Sequence, residues 1–290
     1  MRHRSVAIVH KFIPDYRVPF YSELLSRCAA ADIDLSIIYG DGDRADRTKG
    51  YLQFPAFGRM IPNRLLQLGG VQLVWQAAFE AVRGKDLVIA PQLNKFLVNY
   101  LFLARQAARL QKFAFWGQGR NPHTRDPYSA GEAVKRRVDD LHMVFVGTGP
   151  DEGMIRGYCA ERRWTTCHGR ASEEEKIRYG LLAKLMLMPG SVGLVVLDSL
   201  ALGLPLVTTD VQLHGPEVEY LQDGVTGAIV SPCDDVRAYA DRIAALLERP
   251  AERAEMAERC RDVGRSFTIE EMAERFFTGI MAALDAPPRG

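Results

Sequence analysis

The stretch that decides the fold runs from residue 185 to residue 210 and reads LMLMPGSVGLVVLDSLALGLPLVTTD. Its apolar residues at 185–188 predict a buried strand, and the run 192–202 predicts a helix that ends at Gly203. A second strand is predicted at 206–208, directly after the helix. A strand, a helix and a strand in this order are typical of a βαβ unit in a parallel sheet.

The same alternation continues on both sides of this unit. In the first half, strands are predicted at 6–9, 33–39, 87–90 and 113–116, and helices at 16–30, 71–83 and 96–111, with a long polar loop at 40–69. In the second half, strands are predicted at 143–146, 164–167 and 228–230, and helices at 151–161, 172–179 and onward from 234, 251 and 269. The Gly-, Pro- and Asn-rich segment 117–129 separates the halves. We therefore expect α/β domains at 1–125 and 126–290.

Composition narrows the class of protein. The 290 residues are 47% hydrophobic and 25% charged, and the net charge of +1 gives no bulk attraction to nucleic acid. Five scattered cysteines without a C-x-x-C pair argue against a disulfide framework and a structural zinc site. The apolar runs 6–9 and 96–104 are too short to span a bilayer. We expect a soluble cytoplasmic protein that binds no nucleic acid.

The turn at 189–194 is the first candidate binding site. Ser191 is predicted to cap the following helix, so that the N–H groups of Val192, Gly193 and Leu194 face a ligand beyond the strand. Asp198 follows in the second helical turn, where a carboxylate can hold the two hydroxyls of a ribose. An ordinary solvent-exposed aspartate on a helix explains the presence of Asp198 equally well.

A Gly-rich turn at 145–150 is the second candidate. A dinucleotide fingerprint needs G-x-G-x-x-G, but Glu152 stands at the third glycine position and Gly153 comes one residue late. No acidic residue follows the next strand to hold a ribose. An NAD-dependent oxidoreductase is therefore the less favoured alternative, and a tight turn between strand and helix fits better.

The order of several motifs resembles a known family. The motifs are Phe145-Val146-Gly147-Thr148-Gly149-Pro150, Cys167-His168-Gly169-Arg170-Ala171, the run 189–210, Gly215-Pro216-Glu217-Val218 and Asp223-Gly224-Val225-Thr226-Gly227. Together they resemble the C-terminal domain of the retaining GT-B glycosyltransferases called glycosyl transferases group 1, or family 4. In the first half, Tyr16-Arg17-Val18-Pro19 and Trp116-Gly117-Gln118-Gly119-Arg120 resemble motifs of the same family.

The resemblance implies two facing Rossmann-like domains and transfer of a hexose, with retention, from a nucleoside-diphosphate sugar to a glycan or lipid-linked acceptor in polysaccharide biosynthesis. It implies no metal or other cofactor. The donor-binding residues that it implies are Gly169, Arg170, Ala171, Gly190, Ser191, Val192, Gly193, Leu194 and Asp198. Gln118 takes the catalytic position, where the family has a histidine that faces the sugar. Arg17 is a candidate contact for a phosphate or the acceptor.

Three departures from the family pattern keep a second function open. Gly190 stands where the family has the first glutamate of its donor motif, and Gln118 cannot take a proton as histidine does. Between Arg125 and Leu141 the sequence lacks room for the family's linker and the first strand of its second domain. We expect this domain to be incomplete at its start. A non-catalytic sugar-nucleotide-binding or assembly relative is therefore the main alternative.

Three further patterns are candidates for other roles. Asp41-Gly42-Asp43 has the form of a divalent-metal motif, although the same residues are common in turns. His10 and Lys11 end the first strand, where they would line a cleft. The predicted helix at 96–111 is surrounded by cations, as in helices that lie on anionic membranes, but a core helix with one solvated face has the same pattern. A peripheral contact with the inner membrane face stays open.

Overall fold

The computed structural model describes residues 4–43, 46, 52–69, 71–108, 110–116, 128–149 and 151–287. The chain divides into two compact units. Unit 1 comprises Met1–Gln118 together with Thr268–Gly290, and unit 2 comprises Gly119–Phe267.

Unit 1 is built on a parallel five-stranded sheet. The strands are β1 (Arg4–His10), β3 (Ile33–Tyr39), β5 (Gly58–Met60), β8 (Leu87–Pro91) and β9 (Lys112–Trp116), in the order β5-β3-β1-β8-β9. One face packs against α1 (Val18–Ala30) and the C-terminal helix α9 (Ile269–Asp285), and the other against α2 (Val98–Ala107). Because helices cover both faces, the central strand β1 is apolar at every position from 6 to 9.

The region between β3 and β8 differs from its prediction. In place of a loop at 40–69 and a helix at 71–83, the structure has short strands β4 (Leu52–Gln53) and β5, then an antiparallel hairpin of β6 (Asn63–Leu68) and β7 (Val71–Gln76). β4 pairs with the short strand β2 (Ile13–Pro14). Residues 71–83 form one strand, β7, and a 3-10 turn (Glu80–Val82), because β7 pairs with β6, a partner that the local pattern does not show.

Unit 2 has the predicted alternation, but its strands form two separate sheets. β10 (Met143–Val146) pairs in parallel with β11 (Thr165–Gly169). A second parallel sheet has the order β12 (Met186–Leu187), β13 (Leu206–Thr209), β14 (Gly227–Val230). The helices of the unit are α3 (Tyr128–Lys135), α4 (Glu152–Ala160), α5 (Glu173–Leu182), α6 (Val195–Leu202), α7 (Val236–Glu248) and α8 (Pro250–Gly264).

Helix α3 joins the two sheets of unit 2. The Glu132 carboxylate accepts hydrogen bonds from Tyr158 of α4 and from Arg162, which stand on the β10–β11 side. On the other side, Val134 is fully buried in a cluster with Val207 of β13. A single short helix therefore packs against both halves. The expectation that this domain lacks its first strand stays a prediction, since residues 117–127 lie outside the described residues.

The C-terminal helix corrects the predicted domain composition. The predicted second domain, 126–290, included all the final helices, but α9 packs on α1 of unit 1 and buries Ala273 and Ile280 there. The apolar stripe of α9, which includes Phe276, Phe277 and Leu284, packs into the core of unit 1. The predicted boundary at 125 lies outside the described residues. In the part of the chain that the structure describes, no helix is both long and apolar enough to cross a membrane.

Candidate functional site

Hydrogen bonds fix the loop that follows β12, residues 188–194, to β13 and to the segment after it. Gly190 has a φ of +121°, which other residues rarely adopt, and its carbonyl accepts a hydrogen bond from Thr208 Oγ1 at 2.8 Å. Ser191 does not cap the helix as predicted. Its Oγ donates to the Leu213 carbonyl at 2.9 Å, because the chain makes a further turn before α6 begins at Val195. The loop is thus anchored to the segment that follows β13.

His214 fixes the geometry of the same loop. The Val192 N–H donates to His214 Nδ1 at 3.2 Å, and His214 Nε2 lies 2.9 Å from the Thr209 carbonyl. These two bonds require the neutral ring with its proton on Nε2. The sequence carried no signal for this role, since His214 joins residues distant in the chain.

Two of the three predicted anion-binding amides are free. Val192 is used by His214, but among the described residues no acceptor is bonded to the N–H of Gly193 or of Leu194. They lie just before α6, at the carboxyl end of the sheet, where ligands bind in α/β folds. The helix N-terminus and these N–H groups favour an anion there.

Asp198 lies in the first turn of α6 and is open to solvent. Even so, protein atoms packed around its carboxylate raise its pKa by desolvation; Lys176 opposes this rise and Glu173 adds to it. Both neighbours belong to α5, so the structure brings the starts of α5 and α6 together.

The loop 169–171 leads directly into that start of α5. Gly169 has a φ of +80°, and its carbonyl accepts a hydrogen bond from Gly147 N at 2.7 Å. Arg170 and Ala171 follow it, and Ser172 then caps α5 in a capping box with Glu175. The Gly147 turn therefore connects β10 to the neighbouring loop, which agrees with the tight-turn interpretation of residues 145–150.

A second carboxylate, that of Glu217, lies beside the loop 188–194, which we call the donor loop. We predicted no role for this residue. A Cβ added to Gly193 would lie 3.8 Å from Glu217 Oε2, and one added to Gly215 would lie 2.6 Å from it. The Glu217 carboxylate therefore covers these two glycines. Its only sequence signal is its place after Gly215-Pro216, in a motif for which we predicted no role.

Unit 1 has its own cluster of polar and aromatic side chains at the carboxyl end of β1. Arg17 immediately precedes α1, and its guanidinium lies 4.6 Å from the ring centroid of Trp116. Beneath it the His10 ring contacts the rings of Trp116 and Tyr21. Burial, with a smaller contribution from Arg17, lowers the pKa of His10 to about 3, so the imidazole is neutral. Gln118, the predicted catalytic residue, lies outside the described residues.

The Asp41-Gly42-Asp43 motif forms a turn closed by a cation of the protein itself. Lys11 Nζ lies 2.7 Å from Asp43 Oδ2 and 2.7 Å from Asp46 Oδ2. Asp41 Oδ1 accepts the Asn63 N–H at 2.9 Å. Partial burial opposes ionisation of Lys11, but its hydrogen bonds to Asp43 and Asp46 raise its pKa overall. These contacts favour the turn interpretation over a metal motif.

Comparison with known proteins agrees with the resemblance. Residues 126–264 match the family model of the glycosyl transferases group 1. No curated protein sequence matches the chain. The solved structures that it resembles include TarM of S. aureus, with a TM-score of 0.61 at 9% identity over 98% of this chain and 99% of that one.

Two other solved structures have the same fold. A glycosyltransferase from Rickettsia africae aligns with a TM-score of 0.59 at 10% identity, over 99% of this chain and all of that one. HepE of Anabaena, solved with UDP and glucose, aligns with a TM-score of 0.56 at 10% identity, over 97% of this chain and all of that one. The fold is thus that of the GT-B enzymes, and with its group 1 domain the chain is a glycosyltransferase.

Proposed function

We propose that this glycosyltransferase moves a hexose from a nucleoside-diphosphate sugar to a glycan or a lipid-linked acceptor, with retention at the anomeric carbon. The group 1 domain and the GT-B fold supply the class of reaction. HepE was solved with UDP and glucose, which makes a uridine diphosphate sugar the first donor to test. A role in polysaccharide biosynthesis is part of the same proposal.

The free N–H groups of Gly193 and Leu194 carry this proposal. In our assignment they receive the diphosphate of the donor, because the loop before α6 is held open by His214 and Thr208 and so needs little rearrangement to bind. Asp198 accepts hydrogen bonds from the ribose hydroxyls. Gly169, Arg170 and Ala171 line the nucleoside end, and Gly190 and Ser191 shape the loop.

The reaction follows from the same placement. As the bond between the sugar and the diphosphate breaks, negative charge grows on the departing oxygen, and N–H groups aimed at it stabilise the transition state. That oxygen then takes the proton of the attacking hydroxyl on the same face, so configuration is retained. Gln118 would orient the sugar by hydrogen bonds, since an amide takes no proton.

On the acceptor side we assign Arg17 to a phosphate or another anionic group. Its guanidinium, stacked on Trp116, makes no salt bridge among the described residues. A peripheral membrane contact accompanies a lipid-linked acceptor, and α2 exposes Tyr100, Leu101 and Leu103 for it. Neither assignment needs a metal or another cofactor.

The Asp198→Ala variant tests the donor site. We expect its dissociation constant for UDP, measured by calorimetry, to rise about tenfold, since two hydrogen bonds to the ribose are lost. Asp262→Ala is the matched control, because Asp262 is an exposed aspartate on α8. Unchanged UDP affinity in Asp198→Ala would refute the ribose assignment.

The main alternative, a binding relative without turnover, is favoured by glycine at position 190, where the family has a glutamate. Hydrolysis or transfer of radiolabelled sugar from UDP-, GDP- and ADP-sugars separates the two functions. Transfer to a glycan or lipid-linked acceptor supports the proposal. Tight donor binding with no turnover over long incubation supports the alternative.

A further inference from the structure

One face of the β6–β7 hairpin of unit 1 is aliphatic towards its turn and carries Arg64 and Trp75 at its base. Its register places Leu66 opposite Leu73 and Leu68 opposite Val71. Since alternate residues of a strand point to the same side, these four side chains share one face of the hairpin.

This aliphatic face is exposed. Leu68 is 70% exposed, Leu66 48% and Val71 45%. A two-stranded hairpin is at best marginally stable alone in water, and a contiguous exposed apolar patch usually marks an interaction site.

The base of the hairpin is firmly attached to the rest of unit 1. The Val74 N–H donates to the Lys95 carbonyl at 2.8 Å, and the Leu97 N–H donates to the Val74 carbonyl at 2.9 Å. Gln76 is fully buried and its Nε2 donates to the His10 carbonyl at 3.1 Å. An exposed apolar end on a fixed base is suited to insertion into a partner.

The charges around the hairpin have one sign. Between Asp46 and Glu80 the sequence contains no acidic residue, and the described cations there, Arg59 and Arg64, are exposed. A second acid-free stretch of unit 1 runs from 87 to 118 and contains Lys95, Arg105, Arg109 and Lys112. Because the whole chain is close to neutral at +1, basic residues are concentrated in this part of unit 1. Such a surface complements an anionic one.

We infer that the β6–β7 hairpin anchors the protein to an anionic bilayer, with its aliphatic face in the headgroup region and Arg59 and Arg64 at the lipid phosphates. This inference deepens the membrane contact proposed above and assigns it chiefly to the hairpin rather than to α2. Burial of apolar area supplies the insertion, and the cations supply the preference for anionic lipid.

A second copy of the chain fits the hairpin less well. A two-fold interface pairs the same patch from both copies, so each Arg59 and Arg64 would meet cations of its partner. No acidic residue within 47–79 is available to compensate them. A lipid surface removes this repulsion.

The test is sedimentation of the full chain with vesicles of phosphatidylglycerol and phosphatidylethanolamine, and with vesicles of phosphatidylcholine alone. The wild type should bind the anionic vesicles more tightly. A triple variant, Leu66→Gln, Leu68→Gln and Val71→Thr, should weaken this binding about tenfold or more, since three exposed apolar side chains lose their burial. Arg59→Gln with Arg64→Gln should weaken binding to the anionic vesicles and reduce its salt dependence.

Two matched variants control the experiment. Leu181→Gln with Leu182→Gln changes leucines of unit 2 that are 70% and 83% exposed, and should leave vesicle binding unchanged. Leu101→Gln with Leu103→Gln changes the exposed side of α2 and should weaken vesicle binding less than the Leu66, Leu68 and Val71 triple variant does. Sedimentation of the hairpin variant like wild type, a larger loss from the α2 variant, or a dimer in light scattering that the hairpin variant dissociates would each overturn the inference.

UDP binding is measured on every variant. The hairpin lies in unit 1, so its variant should bind UDP like wild type. Loss of vesicle binding with retained UDP binding therefore supports the anchor, whether or not the proposed transfer reaction is found. Absent UDP binding in the wild type would count against the donor site alone.

Discussion

Strand β1 of unit 1 and strand β10 of unit 2 have opposite surroundings. β1 pairs with β3 and β8, and residues 6–9 are fully buried. β10 pairs only with β11 among the described strands, and Val144 and Val146 are 39% and 42% exposed. Parallel strands are normally buried on both faces, and β10 departs from this rule.

The contrast between β1 and β10 raises the question of which part of unit 2 holds the donor loop in place. The loop at 188–194 hydrogen-bonds to Thr208 of β13 and to Leu213 and His214 of the segment after it, and the His214 ring lies in turn within hydrogen-bond distance of the Thr209 carbonyl. β13 is buried along its length between β12 and β14. The proposed diphosphate site therefore rests on the closed half of unit 2 and not on the open edge of β10.

The largest expected effect separates the two strands directly. Ile8→Ala in β1 should lower the free energy of unfolding by about 2–5 kcal/mol, because a buried side chain leaves a cavity. Val144→Ala in β10 should cost only about 0.5 kcal/mol, since this side chain is already exposed. Urea unfolding followed by tryptophan fluorescence measures both. Equal costs would show that β10 is packed as tightly as β1.

The next effect concerns pH and is specific to unit 1. The folded pKa of His10, about 3, lies below the usual histidine value of 6.5, so the unfolded chain binds the proton first on acidification. The contribution of the neutral His10 to the free energy of unfolding is therefore fully present above pH 6.5. It is lost as the pH falls towards 3, by about 1.4 kcal/mol for each pH unit.

The His10→Gln variant tests this assignment. Because of His10, the free energy of unfolding of the wild type should be about 2 kcal/mol lower at pH 5 than at pH 7. The His10→Gln variant should not show this part of the decrease. Unfolding of both proteins at a series of pH values measures the slope. The same acid dependence in both proteins would mean that other groups set it.

The sequence predicted the elements whose partners are close in the chain. β1, α1 and β3 form one local unit, and the run 185–210 contains two strands and the helix that joins them. Local pattern was enough there because burial follows from short connections. The amides of Gly193 and Leu194 were predicted from the same local pattern, whereas the interpretation of Gly190 came from the family resemblance.

The predictions that were wrong or lacking concern residues whose partners are distant in the sequence. The β7 strand was predicted as helix because its partner, β6, lay in a segment predicted as loop. Ser191 was predicted as a cap, but the carbonyl of Leu213 competes for its hydroxyl. His214 and Glu217 reach the donor loop only after β13 has folded against β12. The spacing of residues along a short stretch of sequence does not reveal contacts with residues far away in the chain.

A smaller effect compares two helix caps, one in each unit. Ser172 accepts a hydrogen bond from Glu175 N, and Thr268 accepts one from Glu271 N, both at 3.2 Å. Replacing either by alanine should cost about 1 kcal/mol. The α5 helix buries no residue, so Ser172→Ala should fray α5 locally, whereas α9 is held by Ala273 and Ile280.

Amide hydrogen exchange distinguishes these outcomes. Ser172→Ala should speed exchange within α5 and leave the urea midpoint almost unchanged. Thr268→Ala should lower the stability of unit 1 as a whole. Matching global losses in both variants would show that α5 is coupled to its unit as strongly as α9 is.

The smallest expected effect concerns charge at the two candidate ligand sites. Unit 1 presents the cation Arg17 where we place the acceptor, but unit 2 presents Glu217 beside the glycines where we place the diphosphate. Glu217 is half-buried, and its carboxylate weakens binding of an anion only modestly, because water still screens it. Glu217→Gln should therefore bind UDP about two- to fivefold more tightly in calorimetry, with the largest gain at low salt. Glu219→Gln removes an exposed carboxylate of the same 3-10 turn and should change affinity less. Weaker UDP binding in Glu217→Gln would mean instead that this carboxylate accepts a hydrogen bond from the nucleotide, and would give it the role that Gly190 leaves open.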